Sequence, residues 1–192
     1  MKPVKLLKSL AKELLYRPGF REMGKDSVIL LPRWLYNKKN VTVGANCVIG
    51  RFAVINAVEK YAETRYQPNI VIGDDVYIGG HAQLHCMESL TLERGCVLSE
   101  HVYISDIAHG FDPEKGLIMQ QELECKGPVH IGEHTFIGFG VSVMPGVTLG
   151  KRCIVGTRSV VTRSFPDYSM IAGSPAKLVK RYCLETKTWI KA

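Results

Sequence analysis

The sequence predicts a mainly-β chain wound as a parallel β-helix, and three observations predict it. Ile131, Ile137, Val143, Leu149, Val155 and Val161 place an aliphatic residue at every sixth position, and Gly132, Gly138, Gly150 and Gly156 directly follow four of them. A second small or aliphatic set, Thr135, Val141, Val147, Cys153 and Ser159, sits four residues after the first five of these. The period itself is the third observation. A 3.6-residue turn would rotate such a stripe around a helix, whereas six is a multiple of the two-residue strand repeat. Two inward positions per six residues describe a short strand plus a turn. Three such units close a triangular coil of about eighteen residues, and successive coils stack as parallel strands about 4.8 Å apart.

Taken in order, residues 2–16 put Leu6, Leu7, Leu10, Leu14 and Leu15 on one helical face with Lys2, Lys5, Lys8 and Lys12 around the rest, which predicts an N-terminal helix. The apolar run is too short to span a membrane and no small-residue cleavage site follows it. Two roles fit: a cap over the open edge of the first coil, or a basic interfacial helix holding the protein at the inner face of a membrane. Residues 1–40 then complete an irregular lead-in with a short strand near Val28 to Leu31.

The repeat begins near residue 41 and runs to 166. Val43, Ile49 and Ile55 form one set; a polar interruption from Glu59 to Asn69 precedes Ile72, Ile78 and Leu84; Leu92, Leu98 and Ile104 follow. The longest break, 105–128, is an extruded loop carrying Asp106, His109, Gly110 and Asp112, and loops of this length in compact domains are usually functional. Residues 167–192 form a cap in which Pro175 introduces a C-terminal helix from Ala176 to about Thr186, all within a single domain.

The net charge of +7 is unevenly placed: residues 151–192 hold nine Lys or Arg against Asp167 and Glu185, and the rest of the chain balances. That predicts an anion site at the C-terminal end of the coils, or a solvated basic surface. No aromatic interleaving or binding motif points to nucleic acid. The six cysteines do not make a disulfide framework; Cys47, Cys96 and Cys153 fall on the small inward position and read as buried hydrophobes in a reducing cytoplasm. No CxxC or Cys/His metal spacing occurs, so no metal is expected.

Phe136-Ile137-Gly138, Met144-Pro145-Gly146-Val147 and Gly173-Ser174-Pro175-Ala176-Lys177 together resemble the hexapeptide-repeat acyltransferases, over roughly Val41 to Arg181. The resemblance implies a left-handed coil, an exception to the right-handed crossover rule. It also implies acetyl-CoA as co-substrate, a homotrimer with clefts between neighbours, and transfer to a hydroxyl of a sugar in surface oligosaccharide or polysaccharide assembly.

Acyl transfer from a thioester needs a base, donors for the oxyanion and a site that aligns both substrates. The segment Ile104-Ser105-Asp106-Ile107-Ala108-His109-Gly110 looks like the family segment in which an Asp precedes the catalytic His by three residues. The match carries the general base onto His109. It leaves Asp106 either to orient the imidazole or meet acceptor hydroxyls, or simply to start a turn. Ile107-Ala108 stand where many relatives have Asn or His.

The resemblance further points to a backbone N–H near Gly138 and Phe139 for the oxyanion, and to Phe136 beside the acetyl or acceptor group. Thr157, Thr162, Arg163, Lys177 and Lys180 correspond to contacts with the CoA arm and phosphates. Gln83 and His85, one coil beneath the loop, are candidate acceptor contacts, with His81 a further candidate for the same cleft. His101, His130 and His134 occupy ordinary turns. Three alternatives stay open: N-acetylation of an amino sugar or antibiotic amine, a zinc-dependent carbonic anhydrase-like protein, and an inactive scaffold.

Overall fold

The computed structural model describes residues 16–192. The expected helix over 2–16, with its membrane or capping role, lies almost wholly outside the described residues. The described chain forms the expected left-handed parallel β-helix, its three faces built from three parallel sheets. The first sheet contains Glu22–Met23, Val41–Val43, Asn69–Ile72, Ser89–Leu92, Val129–Ile131 and Thr148–Leu149. The second runs through Val28–Ile29, Val48–Ile49, Tyr77–Ile78, Val97–Leu98, Phe136–Ile137, Ile154–Val155 and Ser169–Gly173. Trp34–Tyr36, Val54–Ala57, Gln83–Cys86, Tyr103–Ser105, Ser142–Val143 and Val160–Val161 make the third.

The six-residue stripe becomes three columns of like side chains inside the triangle. Ile72, Leu92, Ile131 and Leu149 are register partners in the first sheet, and Ile49, Ile78, Leu98, Ile137 and Val155 in the second. Ile55, Leu84, Ile104, Val143 and Val161 complete the set in the third. All are buried. Fully burying each such side chain contributes about 1.5–3 kcal/mol relative to exposure, so the column is the main source of stability. The paired-column geometry also explains the glycine after the aliphatic residue. At Gly138 an added Cβ would lie 2.8 Å from the Thr157 nitrogen and the Val155 oxygen of the next coil.

Cys47, Cys96 and Cys153 are buried as expected, and all six cysteines are free thiols. Burial pushes the Cys96 thiol up to about 12.

Two expectations are corrected. The coils begin at Glu22 rather than near residue 41: Met23, Ile29 and Leu35, themselves six apart, pair with Val43, Ile49 and Ile55. Leu31 and Asn37 adopt positive φ at the turns, so the segment is a first coil rather than an irregular lead-in.

The C-terminal helix is replaced by a hairpin. Ala176–Cys183 pairs antiparallel with Ser169–Gly173 and then with Thr188–Lys191, extending the second sheet. Leu178, Val179, Tyr182, Thr188, Trp189 and Ile190 are residues that suit strands, and the last coil offers them an unpaired edge.

Candidate active site

Both long interruptions leave the β-helix at the same corner, where the third sheet gives way to the first. Between them, on the intervening coil, Met87 and Glu88 make a tight turn from Gln83–Cys86 to Ser89–Leu92. The first interruption carries the antiparallel pair Lys60–Tyr61 and Thr64–Arg65. The second carries Ile107–His109 paired with Leu123–Cys125. The two are fastened to each other: the Tyr61 hydroxyl donates to the Met119 carbonyl at 3.0 Å and the Thr64 hydroxyl to the Glu122 carboxylate at 2.5 Å, while the Leu123 N–H donates to the Tyr66 oxygen at 3.0 Å.

Asp106 is fully buried at the root of the second interruption. One carboxylate oxygen accepts the Met87 N–H at 2.8 Å; the other accepts the N–H groups of Glu88 and Ser89 at 2.9 and 2.8 Å and faces the Cys86 thiol at 3.4 Å. This corrects the expectation that Asp106 orients His109 or meets acceptor hydroxyls. Its charge is satisfied by backbone donors of the coil below, and it pins the root of the loop to the tight turn. Burial, and next the Asp106 charge, raises the Cys86 thiol far above the ordinary range.

Farther out, Gln121 braces the loop from within. Its carbonyl oxygen accepts the Asp112 N–H at 2.9 Å, and its amide donates to the carbonyls of Asp112 and Gly116 at 2.9 and 3.2 Å.

These supports hold His109 at the lip of a cleft of about 400 Å³ whose walls include Asn56, Tyr61, Gln83, His85 and Tyr103. The imidazole is exposed and meets the Tyr61 ring edge-on, with centroids 5.4 Å apart and planes at 69°. The sequence therefore brings His109, Gln83 and His85 together as expected. His85 Nδ1 lies 3.4 Å from the Asn56 amide nitrogen and Nε2 lies 3.2 Å from the Gln83 oxygen, a pattern satisfied by the neutral tautomer protonated on Nε2. Burial lowers the His85 pKa below its usual 6.5, which favours that neutral form.

His81 does not share the cleft. It stacks on His101 at 4.7 Å with planes 2° apart, at the corner between the second and third sheets, in a column bounded by Phe52 and Phe139.

That corner carries the proposed cofactor edge. The N–H groups of Gly138 and Gly140 donate to the carbonyls of Val155 and Glu100 at 2.9 and 3.0 Å. Among the described residues the Phe139 N–H has no backbone partner, nor has the Thr157 N–H one coil on. Lys177 pairs with Ala172 near the same edge and Lys180 lies farther along the strand, both exposed. Thr162 and Arg163 follow Val160–Val161 and so sit at the next corner, where the Arg163 guanidinium covers Phe165 at 5.1 Å. Phe136 stands apart from the His109 cleft, on the outward face of the second sheet.

Tyr61, Thr64, Tyr66 and Gln121 were invisible to sequence reasoning as site-building residues. Their only signal was that the Glu59 to Asn69 break and the 105–128 break begin at the same phase of the coil. Among the described residues no group of three His, Cys, Asp or Glu side chains is placed to hold a metal. No helix among them is long and apolar enough to cross a membrane.

Comparison with known proteins accords with this architecture. The family model described as bacterial transferase hexapeptide (six repeats) matches residues 128–163, and that of the hexapeptide repeat of succinyl-transferase matches 69–105. The Escherichia coli K12 protein named "Putative lipopolysaccharide biosynthesis O-acetyl transferase WbbJ" is 30% identical over 171 residues, covering 86% of this chain and 84% of that one. The chain spans between 44% and 58% of the length of the next curated relatives, all named acetyltransferases.

Among solved structures, AntD, an N-acyltransferase from Bacillus cereus in complex with dTDP and 3-hydroxybutyryl-CoA, superposes with a TM-score of 0.73 at 19% identity, over 96% of this chain and 91% of its own. The hexapeptide-repeat acetyltransferase VCA0836 from Vibrio cholerae, complexed with acetyl-CoA, gives 0.62 at 21% identity, over 90% and 76%. A coil of hexapeptide units that matches relatives along most of its length is an acyltransferase scaffold, and the chain belongs to the hexapeptide-repeat acyltransferases.

Proposed function

We propose that the enzyme transfers an acetyl group from acetyl-CoA to a hydroxyl of a sugar destined for a surface oligosaccharide or polysaccharide. The observation that carries the reading is His109, an exposed imidazole at the lip of a cleft whose floor is lined by Asn56, Gln83 and His85. These are side chains suited to hydroxyl recognition, and an imidazole can take the proton of an attacking hydroxyl and return it to the leaving thiolate.

In the direct mechanism both substrates are bound together. The acceptor oxygen attacks the thioester carbonyl while His109 takes its proton; the tetrahedral oxyanion accepts a hydrogen bond from the Phe139 N–H of an adjacent copy, since within one chain Phe139 lies at a different corner from His109; collapse expels the CoA thiolate, which recovers the proton from His109. The pantetheine arm runs past Thr157 toward the exposed Lys177 and Lys180, with Thr162 and Arg163 at the neighbouring corner for the phosphate end. Asp106 acts only through the loop it anchors. The name of the Escherichia coli relative favours O-acetylation of a lipopolysaccharide sugar, and the CoA ligands of the neighbours favour the donor.

The same geometry supports a homotrimer. Phe136, expected beside the reacting groups, is on the second sheet, a corner away from the cleft of His109, so a second chain is needed to bring both to one acceptor. AntD, an N-acyltransferase, favours a second reading in which the acceptor is an amino sugar.

Thiol release from acetyl-CoA, measured with a panel of hydroxyl and amino sugars, tests these readings. Release with a hydroxyl sugar that His109→Ala abolishes, with CoA binding intact, is the expected result. An active His109→Ala variant overturns the base assignment, and release with amino sugars alone overturns O-acetylation.

A further inference from the structure

One ring sets the polarity of the cleft floor. Gln83 and His85 alternate with the buried Leu84 and Cys86, so both side chains stand on the outward face of the third sheet, and Asn56 is the register partner of His85 on the coil before. The imidazole lies between the two amides, Nδ1 at 3.4 Å from the Asn56 nitrogen and Nε2 at 3.2 Å from the Gln83 oxygen. An amide nitrogen only donates and an amide oxygen only accepts. A neutral imidazole with its proton on Nε2 satisfies both contacts at once, whereas an imidazolium or the opposite tautomer sets N–H against N–H at Asn56. The Tyr103 ring packs beside His85, with centroids 5.6 Å apart.

The ring therefore turns the two amides in opposite senses. Asn56 directs its nitrogen to His85 and keeps its oxygen; Gln83 directs its oxygen to His85 and keeps its NH₂. Other polar groups of the same cleft are engaged: the Tyr61 hydroxyl holds the Met119 carbonyl, and the Ser105 oxygen accepts the Ile107 N–H at 2.9 Å. Among the described residues, no Asp, Glu, Lys or Arg lines the cleft. The Tyr103 hydroxyl rotates to donate or accept, so the fixed features of the floor are a donor at Gln83 and an acceptor at Asn56.

We propose that His85 is a positioning residue that makes this floor directional: the acceptor sugar seats an oxygen lone pair on the Gln83 NH₂ and an O–H on the Asn56 oxygen, and that pairing selects the hydroxyl that reaches His109. The ligand class is a neutral polyol. A hydroxyl, ether or carbonyl oxygen fits beside Gln83, whereas the Asn56 side requires a donor. A protonated amine beside Gln83 meets N–H groups and no carboxylate. The inference deepens the hydroxyl-acceptor reading and rests on it for the ligand; the orientation of the ring and the amides is independent of it.

The orientation is tested without any ligand, by long-range proton–nitrogen spectra of the histidine rings at pH 7.5, with His85→Gln to assign the signals. The Nε2–H tautomer is expected at His85, and Asn56→Ala should raise the share of the other tautomer. An Nδ1–H tautomer or an even mixture in the parent overturns the proposal.

The selectivity is tested with the hydroxyl sugar that supports thiol release. His85→Leu should raise the KM for that sugar about tenfold, change kcat far less, leave the KM for acetyl-CoA as it was, and spread the acetyl group over more than one hydroxyl of the product. His85→Gln, whose amide still reaches Gln83 as a donor, should recover part of the sugar affinity. A His85→Leu variant with the parental sugar KM and a single product overturns the proposal. If no sugar supports thiol release, the acetyl-transfer reading fails while the tautomer spectra still decide the floor, so the two failures are distinguishable.

Discussion

Tyr61 presents its ring edge to His109 while its hydroxyl holds the Met119 carbonyl, so one residue of the first extruded hairpin touches both the imidazole and the far side of the loop that carries it. The contact joins residues 48 positions apart in sequence that meet because both interruptions leave from one corner. Under the proposed mechanism Tyr61→Phe keeps the ring edge and loses only the tether, and Tyr61→Ala loses both. The expected result is a small fall in kcat for Phe and roughly a tenfold fall for Ala, with the KM for acetyl-CoA unchanged, since small misplacements of a reacting group are costly. A shifted pH profile in the Ala variant alone would mark the ring contact as the one that matters.

Asp106 accepts three backbone amides in a fully buried site. Removing the carboxylate strands those donors, and Asp106→Ala is expected to cost on the order of 3 kcal/mol or more of stability. Asp106→Asn keeps one acceptor oxygen but turns an NH₂ toward donors, so it should be intermediate or nearly as harmful. Urea unfolding midpoints for the two variants and the parent check the order. A variant of parental stability with lost turnover would return Asp106 to a role at the reacting atoms.

His85 gives a pH dependence whose sign can be worked out. Its folded pKa lies below 6.5 because burial disfavours the imidazolium. The unfolded chain therefore binds more protons at this site, and the stability from the neutral ring is complete above about pH 6.5 and lost as pH falls. Stability measured from pH 7.5 to pH 5 should decline, and His85→Gln should flatten that part of the curve. An unchanged slope in the variant would assign it to other groups.

The thiols should divide sharply in reactivity. Cys96 and Cys153 are buried with raised pKa values, whereas hydrogen bonds from the Thr186 hydroxyl and from nearby backbone amides lower that of Cys183. Alkylation of the native protein at pH 8 should label Cys183 first, and Cys183→Ser should remove the fastest phase. Early modification of Cys96 by mass spectrometry would contradict the packed inward position.

The coil was legible because its cause is local and repeated: one aliphatic residue per face, then a turn. Met23, Ile29 and Leu35 obeyed the same spacing, but Pro32 and Trp34 and the change of phase before Val43 concealed them. The C-terminal segment read as a helix because Pro175 suits a helix start, although Leu178, Val179 and Tyr182 suit a strand equally well. Only the unpaired edge of Ser169–Gly173 decides between them, and that edge exists only after folding. Motif and phase predicted that His109, Gln83 and His85 would share one cleft, and they line it together. Asp106 was placed in the chemistry because sequence cannot say which way a carboxylate turns, and Tyr61 escaped because its partner arrives from another excursion of the chain.

The tight Met87–Glu88 turn between the two excursions has an evolutionary consequence. Since the chain leaves and rejoins the triangle at one corner, residues can be gained or lost in either excursion without shifting the phase of a single coil. Such a scaffold separates heredity of the core from experiment at the rim: acceptor choice can drift by insertion and exchange of outlying segments while the stacked triangle beneath is inherited unchanged.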